Sequence, residues 1–527
     1  MLKLALLTSL VTANAYIWPS PQLDALEALR WDQDRNGITA LIQPCDFFIF
    51  GSAKSGRSNA ADWIRTVFHD MATHNKADGT GGMDASIRFA EEQGRPKASF
   101  ALRDGFSNTV AVLQPVANRY ISIADALAVG AILAIENCAG PEIAFRGGRV
   151  DAAEPNLPGV PEPQQDLDSH IASFARQGFT QTEMIGLVAY ILSAEFSIRR
   201  SPILCPELND PSNTQSVAHF DTTNTHFDNR VATEYIAGTT QNPLVVGLNQ
   251  TTNSDKRIFG SDGNATMRSF ANSPDLFAST CADLFARMID TVPAGVQLTE
   301  VITPLPVKPH NLNLILAANN TIQFSGEVRL WNVAEDADPV VRLLWDDRTG
   351  RKTNNVTVVQ DSVVTVSGGR YNAAWYVFDH IATPALARLD AVAGITSIRF
   401  TVDNKLEDQG GVGFAVQDDI MFAASSCFTL DSNNGDTGRF DVAVRTGVDP
   451  TRVYLEQSAR DSVDRPTTIE IDLTPHPVDP NATFGIWSIT QALSFTSFTI
   501  GAEIGGAKVT RGLPTSVFGF GQCSQVE

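Results

Sequence analysis

The sequence predicts two domains, a mostly helical one followed by an all-β, sandwich-like one. Three observations predict this. The chain has 527 residues, more than one ordinary hydrophobic core organises. Its apolar period changes from helical to alternating near residue 300. The change falls at "VITPLPVKPH", residues 301–310, whose three prolines favour an extended connection.

The first fifteen residues, "MLKLALLTSLVTANA", carry a basic Lys3, a short apolar run, and Ala13 and Ala15 before Tyr16. That is the layout of a secretory signal peptide, so the mature chain is expected to begin at Tyr16 and to be extracellular. A helical domain is expected over 16–300. In "ISIADALAVGAILAIENCAG", Ile123, Leu127, Ile132 and Ile135 keep to roughly one face, and "SPDLFASTCADLFARMID" repeats the pattern. Beyond the 301–310 linker, "TIQFSGEVRLW" alternates Ile322, Phe324, Val328 and Leu330 with polar residues, and "TSIRFTVD" and "TIEIDLTP" do the same. Residues 311–527 therefore read as an antiparallel sandwich.

A formal charge of −20, from 39 basic and 59 acidic residues, argues against a nucleic-acid partner and favours cation sites. After the signal segment no stretch reaches the roughly eighteen apolar residues of a membrane span, so a soluble, released monomer is expected. Export sets an oxidising compartment for the six cysteines. Cys427 and Cys523, alone in the second domain, are expected to pair, and Cys45 with Cys281 would tie the start of the first domain to its end. Sequons begin at Asn249, Asn264, Asn319, Asn355 and Asn481, so a glycoprotein is expected.

The chemistry concentrates in "WIRTVFHDMATHNKADGTGGMDASI", residues 63–87. On a helix from about Ala60 to Thr73, Arg65 and His69 stand one turn apart and share a face, while Trp63, Val67 and Met71 turn to the core. A neutral imidazole can take up a proton and return it, and a guanidinium stabilises charge on an oxygen being expelled. Asp70 faces the other way. With Asp84, Ser86 and the backbone of Gly82 it supplies the kinds of oxygen that calcium takes.

The order "R-x-x-F-H-D" then "G-x-D-x-S" resembles the distal segment of the plant, fungal and bacterial haem peroxidase superfamily, in particular its secreted fungal branch. "ADALAVGAILAIENCAGPEIAFRGGRVDA" is similar to that family's Gly-Arg-x-Asp segment. In "FDTTNTHFDN", Asp221, Thr223 and Asp228 match the spacing of its second calcium site. The resemblance covers about residues 40–292. It implies a haem b peroxidase in which His69 is the distal acid–base and Arg65 stabilises O–O cleavage of hydrogen peroxide. An unidentified reducing substrate would supply the electrons, and the role would lie in the response to oxidative stress. Two calcium ions are implied, one on Asp70, Gly82, Asp84 and Ser86, the other on Asp221, Thr223 and Asp228. Asp262, in "IFGSDGNA", falls where the family's proximal carboxylate stands; read from its own neighbours it is equally a turn or cap residue.

Two segments depart from that pattern. The proximal helix begins as expected with "TEMIGLVA" and then reads "YILSAEF", which puts Leu192 where the family ties iron to a histidine. Leucine has no lone pair for iron, so the axial ligand is unassigned. Lys97 and Ala98 occupy the region where the family's Asn orients the distal His. The sequence thus supports two functions: a secreted haem peroxidase, or a haem-free, inactive peroxidase-like binding or structural protein. In a third reading the sandwich carries the main activity, such as binding polysaccharide.

Overall fold

The structure, a computed structural model, describes residues 16–32, 35, 38, 59–95, 100–194, 198–199, 217–223, 225–334, 337–352, 354–379, 383–431, 435–476, 482–493, 497–510, 515–516 and 520–523. The signal segment, Cys45, Lys97, Ala98, Cys205 and His380 lie outside the described residues. The principal helices are α1 (Pro21–Trp31), α2 (Asn59–Met71), α3 (Phe100–Leu113), α4 (Ile123–Asn137), α5 (Leu167–Gln177), α6 (Gln181–Ala194), α7 (Arg230–Ala237), α8 (Ala265–Asn272) and α9 (Pro274–Ile289). Among the described residues no helix is long and apolar enough to cross a membrane.

Helix α4 organises this half. Residues 123–136 are all buried, so the helix presents no solvent face, and the apolar face expected from Ile123, Leu127, Ile132 and Ile135 is only part of its contact surface. Its first turn is held from two sides. Ser122 Oγ accepts from Asp125 N at 2.9 Å, and the Asp151 carboxylate accepts from Ile123 N and Ala124 N at 3.0 and 2.9 Å. These bonds satisfy donors that a helix start leaves free. Gly130 brings α2 close: a Cβ there would stand 2.9 Å from the Trp63 ring and 2.7 Å from Leu113.

On α9 the buried stripe runs Phe277, Cys281, Leu284, Phe285 and Met288, with one turn between Phe277, Cys281 and Phe285. This corrects the expected Cys45–Cys281 bridge. Cys281 is a free thiol, because its place on the stripe aims it into the helical core. Cys138 is disulfide-bonded to a residue outside the described ones.

The second half comprises β1 (Val307–Ala317), β2 (Thr321–Trp331), β3 (Val341–Asp346), β4 (Asn354–Thr357), β5 (Val359–Val366), β6 (Tyr371–Phe378), β7 (Ser397–Val402), β8 (Ile420–Ala423), β9 (Thr437–Arg445), β10 (Arg452–Arg460), β11 (Pro466–Asp472), β12 (Phe484–Ala492), β13 (Ser497–Ile504) and β14 (Ala507–Thr510), with shorter strands between. The first strand starts inside the expected 301–310 linker. A long sheet runs β12-β9-β8-β1-β2-β6-β5, antiparallel except where β8 meets β1. Smaller sheets, β7-β3-β4 and β11-β10-β13-β14, pack against it. The sandwich is therefore double. Successive residues of a strand face opposite ways: Met421 and Ala443 join a core with Leu343, Ile398 and Phe400, while Phe422, Val442 and Val444 join another with Leu455, Phe498 and Ile500. Cys427 and Cys523 form the expected disulfide.

Helix α1 belongs to both halves. Arg30 reaches Glu136 of α4 at 2.5 Å, both side chains fully buried. On the opposite side, Glu27 and Asp32 meet Lys308 of β1 and Arg329 of β2 in a buried four-charge cluster. Arg329 lies 2.7 Å from Glu27 and also pairs with Asp32; Lys308 lies 3.1 Å from Asp32 and also pairs with Glu27. Trp31 Nε1 donates to Ile302 O at 3.1 Å, and its ring packs edge-on to Trp331 and Tyr371.

Candidate active site

Helix α2 forms because Ala60, Ala61, Ile64 and Val67 bury one side against α4 and α3, with Trp63 and Met71. Packing that side fixes the direction of the next. Arg65 is 8% exposed, with Asp62 Oδ1 at 3.9 Å, and lies one turn before His69. The half-buried His69 ring lies 4.7 Å from Phe106 of α3 and 6.0 Å from Phe68. Burial first, and the Arg65 charge second, push the His69 pKa down to about 3. A neutral imidazole beside a permanent cation is thereby presented as a proton acceptor.

Asp70, the next residue, turns to the opposite side and is fully buried. Its Oδ2 accepts from Asp84 N and Ala85 N at 3.0 and 2.8 Å, and its Oδ1 from Ile87 N at 3.0 Å and Ser86 Oγ at 3.4 Å. Asp84 and Ser86 are thus brought to Asp70 as expected. Gly82 shapes the approach: its φ is +111°, and a Cβ there would lie 2.6 Å from Thr291 O. The centre of the group is an amide that sequence reasoning missed. Asn156 Nδ2 lies 2.9 and 3.0 Å from the Asp84 carboxylate oxygens, 2.8 Å from Ser86 Oγ and 3.2 Å from Thr73 Oγ1. The oxygens suit calcium by type, yet the amide stands among them, and a cation would have to displace it. Burial first, then Asp84, raises the Asp70 pKa well above the usual carboxylate range.

At the second expected cation segment, Asp221 is buried and accepts from Thr223 N at 3.0 Å, while Asp228 accepts from Arg230 N at 2.7 Å. Glu234 of α7 adds a carboxylate that the sequence reading omitted. Its Oε1 takes Thr222 N at 3.2 Å, and its Oε2 is buried with no hydrogen-bond partner among the described residues. Burial first, then Asp228 and Glu234, lifts Asp221 to about 7. The orphaned Glu234 oxygen fits a hard cation better than the amide-filled Asn156 group does. Among the described residues no three His, Cys, Asp or Glu side chains converge as a ready metal cage.

Residues 48–273 match the family model described as Peroxidase. The helical domain belongs to the peroxidase superfamily. Over 372 residues the chain is 34% identical to a WSC domain-containing protein of Arthroderma benhamiae, covering 69% of this chain and 50% of that one. It is 29% identical to the peroxisomal L-ascorbate peroxidase 5 of Arabidopsis thaliana over 159 residues, 30% of this chain and 55% of the relative. It is 32% identical to the mitochondrial cytochrome c peroxidase of Yarrowia lipolytica over 132 residues, 24% and 37% respectively. The chain spans about half the length of the first two of these relatives.

On the proximal side of the peroxidase domain, Leu192 lies in α6, which runs without a break to Ala194. Asp262 acts on the start of α8. Its Oδ2 accepts from Thr266 N at 2.9 Å and Thr266 Oγ1 at 2.6 Å, while its Oδ1 is buried with no partner among the described residues. Its turn-or-cap role is therefore present, and the second oxygen is left over. Burial would raise the Asp262 pKa, but the Thr266 bonds outweigh it and hold the carboxyl low. Of the other described histidines, His74 lies 3.0 Å from Gly81 O, His170 of α5 is buried with neither ring nitrogen hydrogen-bonded among the described residues, His310 lies 3.1 Å from Glu327, and His219, His226 and His476 are exposed. The Arg65–His69 pair is of a kind that fits haem, while position 192 of α6 offers iron no histidine.

Proposed function

We propose that the peroxidase domain is built to act on hydrogen peroxide through Arg65 and His69. The observation that carries this reading is the pair itself, a neutral imidazole and a buried guanidinium one turn apart. His69 takes a proton from the bound peroxide at its free ring nitrogen and returns it to the departing oxygen. Arg65 stabilises the negative charge that grows on that oxygen. Haem b, when bound, supplies the electrons for O–O cleavage and the oxidising power passed to a reducing substrate. By the resemblance, Asp262 would receive an N–H from an imidazole at position 192. In full-length protein carrying Leu192→His and supplied with haemin, His69→Leu is expected to lower peroxide-dependent dye oxidation by about 10²- to 10⁴-fold. Equal rates with and without His69 contradict the assignment.

Leu192 favours a second reading for the chain as it stands, a haem-free shell with a binding or structural role. The orphaned Asp262 Oδ1 supports it, since the partner that oxygen would serve is missing.

Calcium is proposed at Asp221, Thr223 and Asp228, joined by Glu234; the Asp70, Gly82, Asp84 and Ser86 group takes it only if Asn156 moves aside. A site half-filled by calcium at a hundredfold lower concentration adds about 2.7 kcal/mol of stability on loading. A chelator that leaves the melting temperature unchanged contradicts the second site. Export and glycosylation are also proposed, supported by the composition of residues 1–15, the Cys427–Cys523 bridge and the exposed Asn319 sequon.

A further inference from the structure

A cavity of about 330 Å³ opens where the N-terminal segment, the loop at 118–120, strand β1 and the β11-β10-β13-β14 sheet meet. Neither Arg65 nor His69 lines it. Its volume is at the small end of ligand sites, which run from about 300 to 1,000 Å³, so it suits a molecule of about one ring.

The cations on its wall are already spent. Arg119 pairs with Glu456 and donates to Tyr120 Oη at 2.5 Å and Thr510 Oγ1 at 3.2 Å. Lys308 has three N–H groups and three acceptors: Glu27, Asp32 Oδ2 at 3.1 Å and the backbone oxygen of Asp24 at 3.1 Å. Arg329, behind it, pairs with the same Glu27 and Asp32. His310 Nδ1 lies 3.1 Å from Glu327. The carboxylate left over is Asp24 of α1, which lines the cavity.

Asp24 is half-buried and short of donors. Its Oδ2 accepts from Ser20 N at 3.0 Å, while its Oδ1 is buried with no hydrogen-bond partner among the described residues. The Tyr16 hydroxyl stands beside it, near enough to favour the charged form but outside hydrogen-bonding geometry. Burial, the largest influence, raises the carboxyl to about 6 in spite of Lys308, Tyr16 and the Ser20 N–H. A carboxylate withdrawn from water without a cation of its own costs free energy, and a bound cation recovers part of it.

The same wall carries the Trp18 indole, braced edge-on by Phe414 at 6.0 Å. Gln409 holds the Trp18 backbone on both sides, accepting from its N at 2.7 Å and donating to its O at 2.9 Å. The rest of the lining mixes apolar Leu314 and Val416 with the amides of Asn311 and Gln457, so it accepts a body that is partly polar. We infer that this cleft binds a small primary amine in its ammonium form, which donates to the Asp24 carboxylate and lies against Trp18. Such an amine is charged at neutral pH, as Lys is. A neutral molecule would leave Asp24 unmatched, and an anion would be repelled by it. The inference stands independently of the peroxide reading.

The test is ligand-observed NMR and calorimetry on the full chain at pH 7.5 with tyramine and cyclohexylamine, beside 4-ethylphenol, cyclohexanol and 4-hydroxyphenylacetate. At least one amine is expected to bind saturably, and about tenfold or more tighter than its uncharged counterpart. Asp24→Asn keeps an acceptor for Ser20 N and removes the charge; it is expected to weaken the amine by about tenfold, the scale of one charge-assisted hydrogen bond. Trp18→Ala is expected to weaken it by about three- to fivefold, the scale of one cation–aromatic contact. Should Asp24→Asn fail to fold, the matched amine and alcohol on the parent decide the question. The inference is overturned if neither amine binds, if an uncharged or anionic counterpart binds as tightly, or if folded Asp24→Asn binds the amine as the parent does.

Discussion

At residue 156 a single amide does work that the sequence left to a metal. Asp70, Asp84 and Ser86 were legible because a carboxylate after the His and a short G-x-D-x-S loop are local patterns. Asn156 was not, since it arrives from a proline-rich segment some seventy residues later and carries no periodic signal. Its contact with four oxygens ties that segment to the loop after α2. Asn156→Ala is expected to cost roughly 1–3 kcal/mol, because it leaves buried acceptors unpaired. It also empties the position where a cation would sit. Urea unfolding of the variant should therefore recover stability on adding calcium, more than the parent does; a variant that ignores calcium argues that the loop does not form a cation cage even when vacant. Asp262 shows the converse case. Its turn-or-cap role on Thr266 is present, and its second oxygen has no partner among the described residues.

Among the elements, α1 has the consequence least visible in sequence. An apolar stripe on residues 21–31 is easy to see, but the place of Glu27 and Asp32 depends on β1 and β2, nearly three hundred residues later. Charged residues at such positions read as solvent-facing until their partners are known. Here burial alone would raise the Asp32 carboxyl, but Arg329 and Lys308 beside it hold it down at about 2. A depressed carboxyl stabilises the fold above its ordinary value near 4, and that contribution is lost as pH falls from about 4 towards 2. Lys308→Met removes one of two cations from two buried carboxylates, and is expected to cost about 3–5 kcal/mol. It should also move the acid limb of unfolding to higher pH. Denaturant midpoints measured from pH 2 to 7 check both; an unchanged acid limb would mean that the cluster is not what joins α1 to the sheet. The strands were legible by alternation, but not their division into two cores, because a residue's face depends on which sheet its strand joins.

Across the whole molecule, two halves with different periods fold around one shared helix, with a cleft between them and the Arg65–His69 pair on one side. The division near residue 300 was legible because period is a property of short windows. The exact boundary was not: Pro309 sits inside β1, paired with Val328, since an extended backbone serves a strand as readily as a linker. The distal pair was equally local, one turn of one helix. The proximal face is where local pattern and family pattern part. The family supplies a histidine and this chain supplies Leu192, while Asp262 keeps a buried oxygen free. The measurement that tests this most directly is the haem absorption band of purified full-length protein titrated with haemin, beside Leu192→His. The account predicts a weak or absent band in the parent and a saturable band, with peroxide turnover, in the variant. Tight, stoichiometric haem binding with imidazole-like spectra in the parent would show that another residue ligates the iron and would contradict it.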